Sequence, residues 1–108
     1  MTLFSCPYLQ AEIELTEERQ QHIAQSHPDL LPDHLDRIAS TLADPDQVRR
    51  SGRFSMALLF SRWFDDLRGG KHVVVVVVTG NSPTRRHWIV TAYIARRLAE
   101  EDTEWHRS

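Results

Sequence analysis

The stretch KHVVVVVVT, residues 71–79, decides the fold that this sequence predicts. Its valines occupy odd and even positions alike, so a strand made from them presents branched apolar side chains on both faces. Strands of that composition lie inside sheets. The preceding LRGG, residues 67–70, supplies turn chemistry that separates this segment from the one before it. Residues 71–79 are therefore predicted to form a central strand.

The segments on either side show the two-residue period of strands. Before the central strand, apolar side chains recur at Phe54, Met56, Leu58, Phe60 and Phe64. After it, a strand is predicted over His87–Ile94. Strict alternation there puts Trp88, Val90, Ala92 and Ile94 on one face and His87, Ile89, Thr91 and Tyr93 on the other.

The N-terminal part predicts a short strand and two helices. Glu12–Leu15 alternates polar and apolar residues, and Thr16 is a good N-cap for a helix over residues 17–26 that Pro28 ends. The apolar residues of the second helix recur at helical spacing: Leu31, Leu35, Ile38 and Leu42. The tail from Ala95 is predicted to form a short helix.

These segments predict an α+β fold, in which an N-terminal strand and two helices pack beside an antiparallel sheet of about four strands. The length of 108 residues fits a single domain over residues 1–108. The 41% of apolar and 26% of charged residues are typical of globular chains and unlike disordered ones.

Several classes of protein are excluded by composition. The six-valine run is far shorter than the roughly 20 apolar residues of a membrane span. The N-terminus has no basic start followed by a long apolar stretch, so we expect a cytoplasmic protein. Cys6 is the one cysteine, which excludes an internal disulfide and a zinc site with several thiolates.

The formal net charge of −2 conceals a division along the chain. Residues 1–46 carry nine acids and two bases, whereas residues 47–97 carry ten bases and two acids. A basic segment of that size attracts phosphate backbones, which makes Arg49 and Arg50 candidate substrate-binding residues. The alternative is that the acidic helices neutralise the basic strands within the fold.

Histidines are candidates for proton transfer, because their charge changes near neutral pH. His27 ends the first predicted helix, where it acts as a general acid or base or caps its own helix. His22 lies about 140° around that helix from His27, so the two rings do not point into one cleft unless the helix ends or distorts before His27. His87 opens the last strand as a substrate-binding candidate, although the flanking Arg86 is typical of plain surface. The histidines lack the i,i+4 spacing of zinc ligands, and nucleotide-binding motifs are absent, so we expect neither metal nor cofactor.

Three further positions on the strands stand out. Thr91 and Tyr93 are two residues apart, hence on one face and about 7 Å from each other, where they either position a substrate or are ordinary strand formers. Arg62 falls on the apolar face of its strand and needs a partner, a ligand or a solvated strand end. Lys71 opens the valine strand, either as a phosphate contact or as a plain strand-end charge.

Three segments in this order resemble phage- and toxin-associated domains of the Barnase/EndoU/colicin/RelE nuclease superfamily: HIAQSHPDLLPDHLDRIASTLADPDQVRRS, SRWFDDLRGGKHVVVVVVT and RHWIVTAYIARRL. The resemblance covers about residues 20–100, and toxins of the BrnT type look like more distant relatives. It implies a metal-independent RNA-cleaving site between helices and sheet. The residues it implies as catalytic are His22, His27, Lys71, Thr91 and Tyr93, with Arg62 beside them on the phosphate.

Three functions follow as hypotheses. The first is a cytoplasmic ribonuclease that acts on RNA and is held in check by a protein inhibitor. The second is a catalytically silent relative that binds nucleic acid or protein through the same surface. The third is a structural or oligomerising domain, for which apolar strand edges are the sign.

Overall fold

The computed structural model of the chain describes residues 1–51, 56–81, 83–98 and 102–107. In these ranges it contains the helices α1 (Glu17–Ser26) and α2 (Leu35–Ala43). The strands are β1 (Thr2–Cys6), β2 (Ala11–Leu15), β3 (Gln47–Arg50), β4 (Ala57–Phe64), β5 (Lys71–Gly80), β6 (Arg86–Ala95) and β7 (Asp102–His106).

Helix α1 has the bounds that the sequence predicts. The Thr16 side chain accepts a hydrogen bond of 3.2 Å from the backbone N–H of Arg19, which satisfies one of the free donors of the first turn. At the other end His27 is the C-cap, and its backbone N–H donates to the carbonyl of Ile23 at 2.7 Å. Pro28 then prevents continuation, because the residue before a proline disfavours helical geometry.

Helix α2 is shorter than its apolar period indicates. Leu31 is fully buried, as its spacing predicts, but it lies in turns before the helix begins at Leu35. Pro32 explains the difference, because it disfavours helical geometry at Leu31 just as Pro28 does at His27.

The predicted sheet of about four strands is wrong in number and in pairing. All seven strands form one sheet in the order β1-β2-β6-β5-β4-β3-β7. Most neighbours are antiparallel, whereas β2 runs parallel to β6 and meets it at the pair Glu14–Trp88. The fold is α+β, as predicted. The sequence missed β1, β3 and β7 because their residues do not alternate between polar and apolar as those of β2 do.

The tail also differs from its prediction as a helix. Strand β6 continues to Ala95, and the chain returns as β7 to pair with β3 at the edge of the sheet. The strand predicted before the turn at residues 67–70 is β4. It contains Leu58, Phe60 and Phe64 of the predicted apolar residues, and Phe54 is outside the described residues.

Both helices cover one face of the sheet, which we call the helix face. Ile23 of α1 and Ile38 and Leu42 of α2 are fully buried in the core there. The sheet contributes alternate residues to the same core, among them Ile13, Val48, Phe60, Val73, Val75, Val77, Ile89 and Ala92. The remaining alternate residues of β3 to β6 lie on the opposite side, which we call the far face. Within the described residues no helix is long and apolar enough to cross a membrane.

Candidate active site on the far face of the sheet

A β-bulge in β6 decides which side chains reach the far face. Val77 pairs with Ile89 but Val76 pairs with Thr91, so Val90 is an extra residue in this strand. Ile89 and Ala92 therefore both join the core, although they are three residues apart. The strict alternation predicted for this strand is wrong, because the bulge moves Thr91 and Tyr93 to the opposite face from His87.

Cross-strand pairing gathers polar side chains into three rows on the far face. The first row is Arg49, Leu59, Val76 and Thr91, and the second is Gln47, Ser61, Val74 and Tyr93. The third row pairs Trp63 with His72. Successive rows are two residues apart along each strand, which corresponds to about 7 Å. Arginine, serine, histidine, tyrosine and threonine from four adjacent strands thus share one face of the sheet, where Arg49 and Ser61 are buried and His72, Thr91 and Tyr93 are half-buried.

His72 is the best-placed proton-transfer group of this surface. Burial lowers the pKa of its imidazole, nearby Arg49 lowers that pKa further, and Asp46 opposes both. Because the ordinary pKa is about 6.5, the ring is held in its neutral form at pH 7. Its Nδ1 is buried and has no hydrogen-bond partner among the described residues. A neutral imidazole keeps one nitrogen lone pair and so has the chemistry of a general base.

Arg49 provides a fixed positive charge beneath the surface. The residue is 2% exposed, and a guanidinium keeps its proton at any physiological pH. It lies two strands and two rows from His72, and its charge lowers the pKa of that imidazole. A buried guanidinium favours an anion nearby, and its planar set of donors matches phosphate oxygens.

His27 and Tyr93 meet at the edge of the far face. Their ring centroids are 6.1 Å apart, and both side chains are partly exposed. The contact arises because α1 lies alongside β6 and ends at His27. Tyr93 is one row from His72 on the neighbouring strand, which places the tyrosine between the two imidazoles.

Two predicted phosphate contacts lie on the helix face and are occupied. Arg62 Nη1 donates to the backbone carbonyl of Asp44 at 3.0 Å and to its carboxylate at 3.1 Å, which satisfies the charge at the end of α2. Lys71 Nζ donates to the carbonyls of Arg68 and Gly70 at 2.9 and 3.2 Å and so closes the turn before β5. Neither cation points toward Thr91 and Tyr93.

The other predicted site residues are also separated from this surface. His22 is exposed on α1, and Arg50 lies on the helix face in an ion pair with Glu104. His87 is 4% exposed, and its Nδ1 lies 2.7 Å from the hydroxyl of Thr79, with which it forms a hydrogen bond. Burial lowers the pKa of His87, and the positive charge of Arg85 lowers it further. The prediction of a surface position for His87 is wrong.

The basic segment is partly neutralised within the fold. Ion pairs join Arg86 to Glu14 at 2.6 Å and Arg68 to Asp29 at 3.5 Å, in addition to the pairs of Arg62 and Arg50. The neutralisation alternative therefore holds for these four arginines. Arg49 lies on the far face and is 2% exposed.

A groove of about 680 Å³ lies at the other end of the sheet, lined in part by Tyr8, Arg50, Thr79 and Glu104. Its polar groups serve one another: Glu104 pairs with Arg50 and accepts a hydrogen bond of 3.1 Å from the Tyr8 hydroxyl. The groove is therefore a weaker candidate than the far face.

Sequence reasoning missed Ser61, His72 and Trp63. Ser61 is fully buried, yet its hydroxyl has no hydrogen-bond partner in the part of the chain that is described. The valine run hid His72, because a strand that is apolar on both faces does not show which side a flanking residue takes. The one available signal was alternation in β4, which puts Ser61 and Trp63 opposite Phe60.

No cluster of three histidine, cysteine or acidic side chains able to hold a metal ion exists among the residues described. Comparison with protein-family models, curated proteins and solved structures found no match for this chain.

Proposed function

We propose that the protein is a metal-independent ribonuclease whose active site is the far face of the sheet, and not the space between helices and sheet that the superfamily resemblance implies. The observation that carries the proposal is the meeting of His72, Arg49, Ser61, Thr91 and Tyr93 on one surface, with His27 at its edge. These side-chain types match the needs of RNA cleavage without metal: a base, an acid and a cation at the phosphate.

The roles follow from position. His72, held neutral by burial, takes the proton of the ribose 2′-hydroxyl, and the resulting oxygen attacks phosphorus. His27 donates a proton to the departing 5′-oxygen, which leaves a 2′,3′-cyclic phosphate and a 5′-hydroxyl. Arg49 stabilises the charge that develops on the phosphate oxygens. Tyr93 and Thr91 position the phosphate between the two imidazoles.

A cytoplasmic location belongs to the same proposal, as does a protein inhibitor that covers this face. The nuclease-superfamily resemblance supports a toxin-type role, and expression in a bacterium is then expected to arrest growth. A variant with His27→Ala and His72→Ala together is expected not to arrest growth. Equal growth of both strains would contradict toxicity.

The ion pairing of Arg62 and the turn contacts of Lys71 favour a second candidate, a silent binding module. They leave fewer cations at the phosphate than the resemblance implies. Such a module would bind RNA on the far face without cutting it.

The test is incubation of the purified protein with total RNA in chelator, followed by a denaturing gel and a probe for cyclic-phosphate ends. Separate His72→Ala and His27→Ala variants are expected to lose about 10²- to 10⁴-fold in rate. His22→Ala is the matched control, because His22 lies on the same helix as His27 but faces solvent. RNA binding without cleavage by the folded parent would favour the binding module. Cleavage unchanged in both variants would place the site elsewhere.

A further inference from the structure

Trp63 presents an exposed indole beside the proposed site. The residue is 41% exposed, and its ring centroid lies 4.9 Å from that of His72 in an edge-on arrangement. It occupies the third row of the far face, at the end of β4. The exposed ring adjoins the group assigned as base, and an indole offers a flat apolar face on which another ring stacks.

The indole is held in one place before any ligand binds. Its Nε1–H donates to the carboxylate of Asp65, and the backbone N–H of Trp63 donates to Asp46 at 2.7 Å. The ring also packs against Gly70, where a Cβ atom would overlap it. A ring fixed in this way loses little conformational entropy when a flat ligand stacks on it.

Exposed cations lie at the same end of the sheet. Ala95 pairs with His72, and Arg96 and Arg97 follow directly as exposed residues. The carboxylates of Asp65 and Asp46 contact Trp63 itself, and the two arginines supply positive charge farther along this end of the sheet. An aromatic ring combined with nearby cations is typical of single-stranded nucleic-acid sites, because bases stack on the ring and phosphates meet the cations.

We infer that Trp63 stacks against a nucleobase adjacent to the cleaved phosphate, so that the substrate class is single-stranded RNA. This inference rests on the proposed function. In duplex RNA the bases are stacked inside the helix and do not reach such a ring. Duplex RNA therefore lacks this stacking contact and is expected to bind more weakly than a single strand.

The experiment compares binding of a labelled single-stranded oligonucleotide, 2′-O-methylated so that it is not cleaved, with binding of the same sequence as a duplex. Trp63→Ala is expected to weaken single-strand binding by about 5- to 150-fold, the range that loss of one base-stacking ring produces. Trp63→Phe keeps an aromatic surface and is expected to retain most of the affinity. Trp105→Ala is the matched control, because Trp105 is 38% exposed but lies beside Tyr8 on the helix-face side of β7.

A second readout does not depend on the folding of the alanine variant. Stacking quenches indole fluorescence, so the single strand is expected to quench the parent protein and to leave Trp63→Phe unquenched. Equal affinity for single strand and duplex, or quenching that persists in Trp63→Phe, would overturn the inference. Cleavable RNA is assayed in parallel: cleavage of single strand and duplex alike overturns the inference but leaves the ribonuclease proposal intact. If the protein neither binds nor cleaves any RNA, both the inference and the ribonuclease proposal are overturned.

Discussion

Replacement of Ser61 by alanine is expected to make the protein more stable. Ser61 is fully buried on the far face, and its hydroxyl has no partner among the described residues. An unsatisfied buried hydroxyl costs about 1 to 3 kcal/mol. Alanine removes that cost but leaves a small cavity in place of the oxygen, and this cavity offsets part of the gain in stability. The free energy of unfolding should therefore rise by about 1 kcal/mol.

The assay is urea unfolding at neutral pH, in which a gain of this size moves the midpoint upward by roughly 0.5 M. Thr41→Val is the control: Thr41 is equally buried, but its hydroxyl donates to the carbonyl of Arg37 at 2.7 Å. Loss of that satisfied hydrogen bond should cost about 0.5 to 1.5 kcal/mol. If Ser61→Ala destabilises the protein as Thr41→Val does, the hydroxyl has a structural partner and the reasoning about the far face fails.

Three further predictions follow from particular contacts. His72 and His87 have lowered pKa values in the folded state, so below pH about 6.5 the unfolded chain binds more protons than the folded one. The free energy of unfolding, measured in urea, should therefore fall from pH 7 to pH 5. A flat pH profile would contradict this. Ile89→Ala should cost about 2 to 5 kcal/mol and Val90→Ala clearly less, since the bulge keeps only Ile89 in the core; the reverse order would disprove the bulge. Gly70→Ala forces a Cβ into the indole above it at a φ of +104°, so both stability and RNA affinity should drop; unchanged values of both would refute the contact.

Local signals made part of this fold predictable. Thr16 and Pro28 define α1 because capping and proline act within a few residues, and the valine run identifies β5 for the same reason. Long-range pairing is different. The short strands β1, β3 and β7 exist because neighbouring strands supply hydrogen bonds, and no local pattern records which strand will do so.

Only part of the candidate site could be predicted from the sequence, because local alternation is visible there and strand pairing is not. Thr91 and Tyr93 share a face whatever the register, whereas their relation to His87 depends on the bulge at Val90. His72 becomes a site residue only once β4 and β6 are known to flank β5. Arg62 stood out in the sequence as an arginine on an apolar face and was predicted to contact phosphate. In the structure it has a structural partner instead, Asp44 at the end of α2.

The far face also explains why polar groups without partners persist in a buried place. Ser61 and His72 each keep a buried polar atom with no hydrogen-bond partner within the described residues. Natural proteins retain such groups mainly where function requires them, because each one costs stability.

The most direct test of the far face as the RNA site is an NMR titration of the histidine ring signals with a 2′-O-methylated oligonucleotide. The six histidines are spread over the molecule and report separately on its surfaces. The ring signals of His72 and His27 are expected to shift together, while those of exposed His22 and buried His87 stay in place. Shifts at His22 or His87 without a change at His72 would contradict the assignment of the site to the far face.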